Sequence, residues 1–460
     1  MNENTDGRRA YATSAISPTP RHETLVAALD AAAHEGGDFL TFHGVRDACP
    51  MRYRDALDAA RQWSAFFHHR GVRPGDRVPI LLPTGPAFVG ALLGAMLAGA
   101  VPVPLASPMT FGSIERYLAN LAAIVADCGA RHLVTFDRVR VALAGDGRLG
   151  ASLGEVLTEA DLDGTPQGFP RTSVSASDTA LLQYTSGTTG RPKGVVVSHR
   201  ALVANAFAIA HGLALGPADV GVSWLPLFHD MGLIGVLLTA VCHPYPLHVM
   251  PPEAFVMRPQ RWLQVIAEAG ATVSAAPNFA YELCVQRGGD LEGARLDRWR
   301  RALNGSEPVL ANTVGRFSAR FARDGFDPGA MTPVYGMAEC TLAVTFPRKG
   351  RGFRARSVDR AELANGIAVA PGPRDLASDA VSVGVPVAGT TVGIYGPDGA
   401  LVEEGRVGEV RVMGPSLMDG YFRNENASAE AFSGAWLKTG DLGFMHDGEL
   451  YLVGRAREVS

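Results

Sequence analysis

Residues 182–198 read Leu182-Gln183-Tyr184-Thr185-Ser186-Gly187-Thr188-Thr189-Gly190-Arg191-Pro192-Lys193-Gly194-Val195-Val196-Val197-Ser198. Leu181 to Tyr184 have the character of a buried strand end. Thr185 to Gly194 then gather hydroxyls, three glycines and one lysine into a turn. Glycines let a backbone come close to an anion, hydroxyls and N–H groups bond its oxygens, and the lysine adds charge. Such a turn suits the phosphates of a nucleoside triphosphate. It is not the Walker pattern. Pro192 precedes Lys193 where that pattern needs Gly, and Gly194 follows where it needs Ser or Thr.

The lysine stands out against the rest of the chain. Only Lys193, Lys349 and Lys438 occur among 42 cationic residues, an arginine bias of the kind a GC-rich genome produces. A compact ammonium packs on a phosphate as a point charge, which a guanidinium fork does less closely.

Working outward, 460 residues exceed what one core holds and imply at least two subdomains. Hydrophobic residues at 47% and charged residues at 19% fit a large α/β enzyme. A net charge of −4 gives no electrostatic case for nucleic acid or membrane as partner. The five cysteines are scattered and never in a CxxC pair, which points to a reducing, cytoplasmic setting and away from zinc. The most apolar run, Val89 to Ala106, is interrupted by Pro102 and Pro104 and reads as a buried helix and strand, not a membrane span.

The periodicity predicts helices over His22 to Ala33, Tyr53 to Arg70, Gly85 to Leu97 and Ser113 to Cys128. Strands are expected at Arg77 to Leu82, Val101 to Leu105 and His132 to Thr135. This alternation predicts doubly wound α/β subdomains with mostly parallel sheets. The expected organisation is a loose tail (1–20), an N-terminal α/β subdomain (21–180) ending in a linker (144–178), and a second α/β subdomain (181–346). A basic, Gly/Pro-rich segment (347–380), a small β-rich subdomain (381–454) and a short terminal stretch (455–460) follow.

Four further motifs succeed the loop. Trp224-Leu225-Pro226-Leu227-Phe228-His229-Asp230-Met231-Gly232-Leu233 sets a histidine among apolar residues, a pattern that alone reads as a packed core histidine. Ala302-Leu303-Asn304-Gly305-Ser306-Glu307-Pro308 is by itself a strand end and turn. Val334-Tyr335-Gly336-Met337-Ala338-Glu339 offers a flat aromatic face, a tight bend and a hard oxygen ligand. Trp436-Leu437-Lys438-Thr439-Gly440-Asp441 places a carboxylate at a turn.

Taken in this order, the five motifs resemble the adenylate-forming superfamily of acyl-CoA synthetases, luciferases and adenylation domains. The resemblance covers about residues 20 to 460. It implies that Thr185, Ser186, Gly187, Thr188, Thr189, Gly190 and Lys193 hold ATP phosphates. Glu339 would bind Mg²⁺. Asn304, Gly305, Tyr335, Gly336 and Met337 would meet adenine, and Asp441 and Arg455 the ribose. His229 would border the reacting carboxylate, so that His229, Lys193 and Glu339 form the catalytic set. Gly454-Arg455-Ala456-Arg457-Glu458 is similar to the family hinge motif, with Arg and Glu in place of Lys and Asp.

Within the superfamily the chain is most similar to fatty acyl-AMP ligases. Asp-Met-Gly-Leu after His229, the NGSEP turn and Ala276-Pro277-Asn278-Phe279-Ala280-Tyr281 all resemble that group. So does the 44-residue interval 340–383, where an insertion in that family packs on the N-terminal domain and limits the closure needed for CoA thiolation. The resemblance implies an acyl pocket at His229, Met231, Ser274, Ala276 and Phe279. It also implies a fatty or related acid as substrate and an acyl carrier protein with its phosphopantetheine arm as acceptor. No Phe-Asp-x-Ser element supplies a carboxylate for an α-ammonium, which disfavours amino acids. Family members carry about a hundred further residues after the hinge, including a bridging lysine. The expectation is therefore a large N-terminal domain by itself, with a natural truncation as the alternative. Two other readings stay open: an acyl-CoA synthetase, and a nucleotide- or acyl-binding module without turnover.

Overall fold

The computed structural model describes residues 8–44, 48–107, 114–144, 153–165, 168, 172–185, 192–291 and 293–456. The chain is a mixed α/β protein with parallel sheets and a large antiparallel one. Its central sheet has seven strands in the order Met331–Pro333, Arg301–Asn304, Val273–Ala276, Gly221–Ser223, Leu247–Val249, Asp38–His43 and Ala48–Arg52. All neighbours are parallel except the last pair, a hairpin. Parallel strands need crossovers, and helices such as Pro259–Ala269 and Asn278–Arg287 supply them. These strands are short and largely buried, which is why they read as apolar or small-residue runs without alternation.

The order of this sheet positions the motifs. Each of the first four strands ends in one: VYGMAE follows 331–333, NGSEP leaves 301–304, PNFAY follows 273–276, and WLPLFHDM follows 221–223. Four motifs scattered over more than a hundred residues therefore leave the carboxyl ends of adjacent strands, where open α/β sheets hold ligands.

A second, four-stranded parallel sheet orders Val101–Pro104, Arg77–Ile80, His132–Thr135 and Glu155–Thr158. The last of these falls inside the segment expected to be a linker. Leu157 is fully buried, and Asp161 caps the turn behind it by accepting from the Thr158 amide at 2.8 Å. A boundary at residue 180 also fails as a packing boundary. Asp38–His43 is hydrogen-bonded beside Leu247–Val249, so the start of the chain completes the central sheet.

The phosphate-loop motif joins two antiparallel strands, Thr179–Thr185 and Lys193–Ser198. Gly420–Tyr421 adds a third strand to this hairpin. The β-rich region forms a ten-stranded antiparallel sheet whose strands, one excepted, lie from Tyr335–Gly336 onward. One of its edges is Tyr11–Thr13, paired with Thr391 to Gly393. The N-terminal segment is thus not a loose tail along its whole length. Ala10 is fully buried, donates to Val402 O at 2.9 Å and accepts from the Ile394 amide at 3.0 Å. A strand edge left open would expose those backbone groups.

The 347–380 segment is ordered against this sheet. Ala355–Asp359 pairs with Ala377–Pro386, and a short helix, Arg360–Ala364, is capped by Asp359. Val358 and Ala380 pack with Phe444 and Tyr451 in a small buried cluster. Its charged anchor is Glu449, only 3% exposed, with Arg348, Arg351 and Arg354 at 3.7, 3.8 and 3.5 Å and the Ser382 hydroxyl donating at 2.8 Å. These contacts tie the segment to the β-rich sheet.

Candidate active site

Tyr335 and Gly336 stand at the floor of the site. Gly336 is required by close approach: a Cβ there would lie 2.1 Å from the Leu342 carbonyl. The turn that follows carries Glu339 on Ala338–Cys340, and Met337 N–H donates to Leu342 O at 2.8 Å. Tyr335 is 7% exposed, and its hydroxyl donates to Asp441 Oδ2 at 2.6 Å. Burial, then the charge of Asp441 and this hydrogen bond, hold the phenol well above its ordinary pKa, so it remains a donor. Arg455 Nε donates to Asp441 Oδ1 at 3.2 Å. The structure thus brings Tyr335, Asp441 and Arg455 together from positions 106 and 14 residues apart.

Glu339 has a partner that sequence reasoning missed. Tyr421 O–H donates to Glu339 Oε1 at 2.9 Å, and the Lys193 ammonium lies 4.8 Å from the centre of the same ring. Lys193 begins the strand leaving the phosphate loop and pairs with Thr185. Tyr421 thus links Glu339 to Lys193, which pairs with Thr185. Ser186, Gly187, Thr188, Thr189 and Gly190, together with Arg457 and Glu458 of the hinge motif, lie outside the described residues.

The donor set bears on a metal. Among the described residues no three His, Cys, Asp or Glu side chains converge. Glu339 Oε1 accepts from Tyr421, and Lys193, suited to phosphate, stands over the same ring. One carboxylate plus phosphate oxygens is how Mg²⁺ is ordinarily held in nucleotide sites, so the residues fit that ion.

From Tyr335 an apolar cleft of about 470 Å³, solvent at its mouth included, runs between Met231, Val236, Ala275, Leu303 and Phe346. Among the described residues no charged side chain lines it. A second space, of about 330 Å³, shares Val236, Ala275 and Leu303 with the first and continues toward Tyr245. Of the expected acyl-pocket residues, Met231 lines the first cleft and Ser274 the second. The Ser274 hydroxyl is already used, donating to Val222 O at 2.6 Å and accepting from Trp262 Nε1 at 2.9 Å. Ala275, not Ala276, lines both clefts; in the first it is the one residue of its strand among the described lining, as the alternation of strand side chains allows. Phe279 lies outside the lining. It is 48% exposed and meets Trp224 edge-on at 6.1 Å.

Asn304 is fully buried, and its amide donates to Asn278 Oδ1 at 3.3 Å, while Ser306 lines the cleft. Ser306 adopts a left-handed φ of 66° and donates to Met231 Sδ at 3.3 Å. His229 lies outside the cleft lining and is about half exposed. Its Nδ1 is 2.8 Å from Asp230 Oδ1. That hydrogen bond, opposed by desolvation and helped by the carboxylate charge, raises its pKa above 6.5. After Met231 the chain winds into a π-helix, Leu233–Leu238. The Thr239 hydroxyl donates back to Ile234 O at 2.8 Å, and Gly235 avoids a clash with Leu342, 2.7 Å from where a Cβ would stand. Such wide turns concentrate at functional sites, and here the turn sets Val236 into the cleft wall.

This arrangement is that of an adenylate-forming ligase. The AMP-binding enzyme family matches residues 29–422, and the chain belongs to it, within the fatty acyl-AMP ligase group. A solved structure from work on fatty acyl-adenylate ligases of E. coli and L. pneumophila superimposes with a TM-score of 0.90 at 36% identity, covering 95% of this chain and 80% of the other. The medium-chain-fatty-acid–[acyl-carrier-protein] ligase JamA of Moorena producens is 32% identical over 96% of this chain and 78% of its own length. A Caulobacter vibrioides protein provisionally named an acyl-CoA synthetase is 35% identical over 95% of this chain and 77% of its own.

Proposed function

We propose that the chain activates a fatty or related carboxylic acid with MgATP. The acid's oxygen attacks the α-phosphorus, the bond from that phosphorus to the β-bridging oxygen breaks, and pyrophosphate leaves acyl-AMP behind. The observation that carries this reading is the cleft that starts at Tyr335 and whose described walls are uncharged and largely apolar. An alkyl chain is stabilised there by about 0.8 kcal/mol per buried methylene, whereas an α-ammonium would find no counter-charge.

In this reading Thr185, Ser186, Thr188, Thr189 and Lys193 hold the β- and γ-phosphates. Tyr335 and the backbone at Asn304 and Gly305 meet adenine, while Asp441, oriented by Arg455, accepts from the ribose hydroxyls. Glu339 would hold Mg²⁺, which neutralises charge on the phosphates. His229 borders the carboxylate. No proton need move in this step, so catalysis is alignment and charge neutralisation. The acyl group then passes to the phosphopantetheine arm of an acyl carrier protein in the cytoplasm, in lipid or polyketide and lipopeptide assembly. The acceptor in JamA's name supports that choice, and the name of the Caulobacter relative keeps CoA as the rival acceptor.

Two measurements test the reading. Lys193→Ala should weaken MgATP binding in calorimetry by about 1.5–3 kcal/mol, the worth of a charge-assisted contact. Affinity for non-hydrolysable acyl-AMP analogues should rise with chain length until the cleft is full. A flat series, or preference for an aminoacyl analogue, sinks the substrate class. The full-length protein given both acceptors should load the carrier protein, and acylated CoA as main product would move it to the acyl-CoA synthetases.

A further inference from the structure

We propose that Tyr421 is a positioning residue that holds the phosphate-loop lysine and the metal-binding glutamate apart and aimed. The proposal rests on the roles given above to Lys193 and Glu339.

One side chain touches both groups. Its hydroxyl donates to Glu339 Oε1 at 2.9 Å, and its ring carries the Lys193 ammonium at 4.8 Å, within cation–π range. The segment that bears it is built into both neighbours. Tyr421 pairs with Val195 on the strand that Lys193 begins, and Phe422 N–H donates to Gly194 O at 2.7 Å. A few residues earlier, Met418 N–H donates to Glu339 O at 2.9 Å, and Thr341 Oγ1 donates to Ser416 O at 2.7 Å. Residues 416–422 therefore form a strap between the end of the phosphate loop and the glutamate turn. The Tyr421 amide is fixed in turn by Ser428 Oγ at 2.9 Å.

Lys193 and Glu339 flank the same side chain, and without it these opposite charges would attract and neutralise each other before substrate arrives. The ring gives the ammonium a neutral seat, and the hydroxyl occupies one carboxylate oxygen while leaving Oε2 for a metal. Tyrosine is the side chain that does both. Phenylalanine keeps the seat and loses the donor, and leucine loses both.

The test is calorimetric titration of ATP into the chain, with Mg²⁺ and with the metal chelated, for wild type, Tyr421→Phe, Tyr421→Leu and Glu339→Gln. The Glu339→Gln variant should lose the gain in affinity that Mg²⁺ gives. Tyr421→Phe should bind metal-free ATP as wild type does, yet need roughly ten- to a hundredfold more Mg²⁺, the equivalent of a lost hydrogen bond to a charged group. Tyr421→Leu should also bind metal-free ATP more weakly, because Lys193 is drawn to Glu339. Adding Glu339→Gln to that variant should restore the metal-free affinity, an outcome that a misfolded Leu variant would not give. A wild-type Mg²⁺ requirement in Tyr421→Phe, with Glu339→Gln defective, would overturn the positioning role alone. An undiminished Mg²⁺ response in Glu339→Gln would remove the underlying metal assignment. Equal metal-free affinities for the Phe and Leu variants would overturn the separation of charges.

Discussion

At the scale of single residues, His229 and Asp230 act as a pair. The two are adjacent in sequence, and the short contact between Nδ1 and Oδ1 favours the imidazolium. A histidine whose folded pKa lies above the unfolded value stabilises the fold fully below about pH 6.5, and that contribution fades as pH rises through the folded pKa. Asp230→Asn should therefore lower the His229 titration midpoint, read from its ring proton resonances by NMR. An unmoved midpoint would show that Asp230 is not the cause. Residue-scale detail also decides the cleft. A strand's alternation gives Ala275 to the lining and withholds Ala276, a difference of one position. Asn304 is drawn inward because Asn278, 26 residues away, offers a carbonyl. Nothing in the local string NGSEP reports that partner.

At the scale of elements, the insertion and its anchor make a prediction. Three guanidinium groups surround the nearly buried Glu449 carboxylate. Glu449→Gln keeps the shape and leaves three like charges without their counter-ion. Because the arginines are partly exposed, solvent screens part of the loss, and about 1–3 kcal/mol of stability should go. The effect should be local. Trypsin should cut within the arginine-rich stretch 348–356 faster in the variant, while the parallel-sheet core resists as before. Equal cleavage rates would mean that the apolar cluster of Val358, Ala380, Phe444 and Tyr451 holds the segment by itself. The basic run read as an exposed, Gly/Pro-rich stretch in sequence because its counter-charge lies about a hundred residues downstream.

At the scale of the whole molecule, the N-terminus closes the largest sheet. Deleting residues 1–14 removes the strand Tyr11–Thr13 and uncovers the backbone of Thr391 to Gly393, together with the Trp436 ring that Tyr11 meets at 6.3 Å. The truncated chain should melt at a lower temperature, by roughly 1 °C for each kcal/mol lost in a chain of this size. It should also self-associate through the open edge, seen by light scattering. An unchanged melting temperature and a monodisperse sample would show that the strand contributes little.

The sequence by itself determined the class of fold and the parts of the site that are contiguous. Helix and strand periodicity are local, so Tyr53–His69, Pro86–Leu97 and His132–Thr135 were legible within a residue or two. Motif strings such as YTSGTTGRPKG and YGMAE carry their chemistry in adjacent residues, which is why Lys193, Tyr335 and Glu339 could be named. Only the tertiary structure decided which distant groups meet. Strand order placed four motif loops at neighbouring carboxyl ends, Asp38–His43 in the central sheet and Tyr11–Thr13 on the antiparallel one. It also set Tyr421 against Glu339 across 82 residues. Strand pairing and side-chain contacts of that kind depend on how the whole core packs, and no short window of sequence contains both partners.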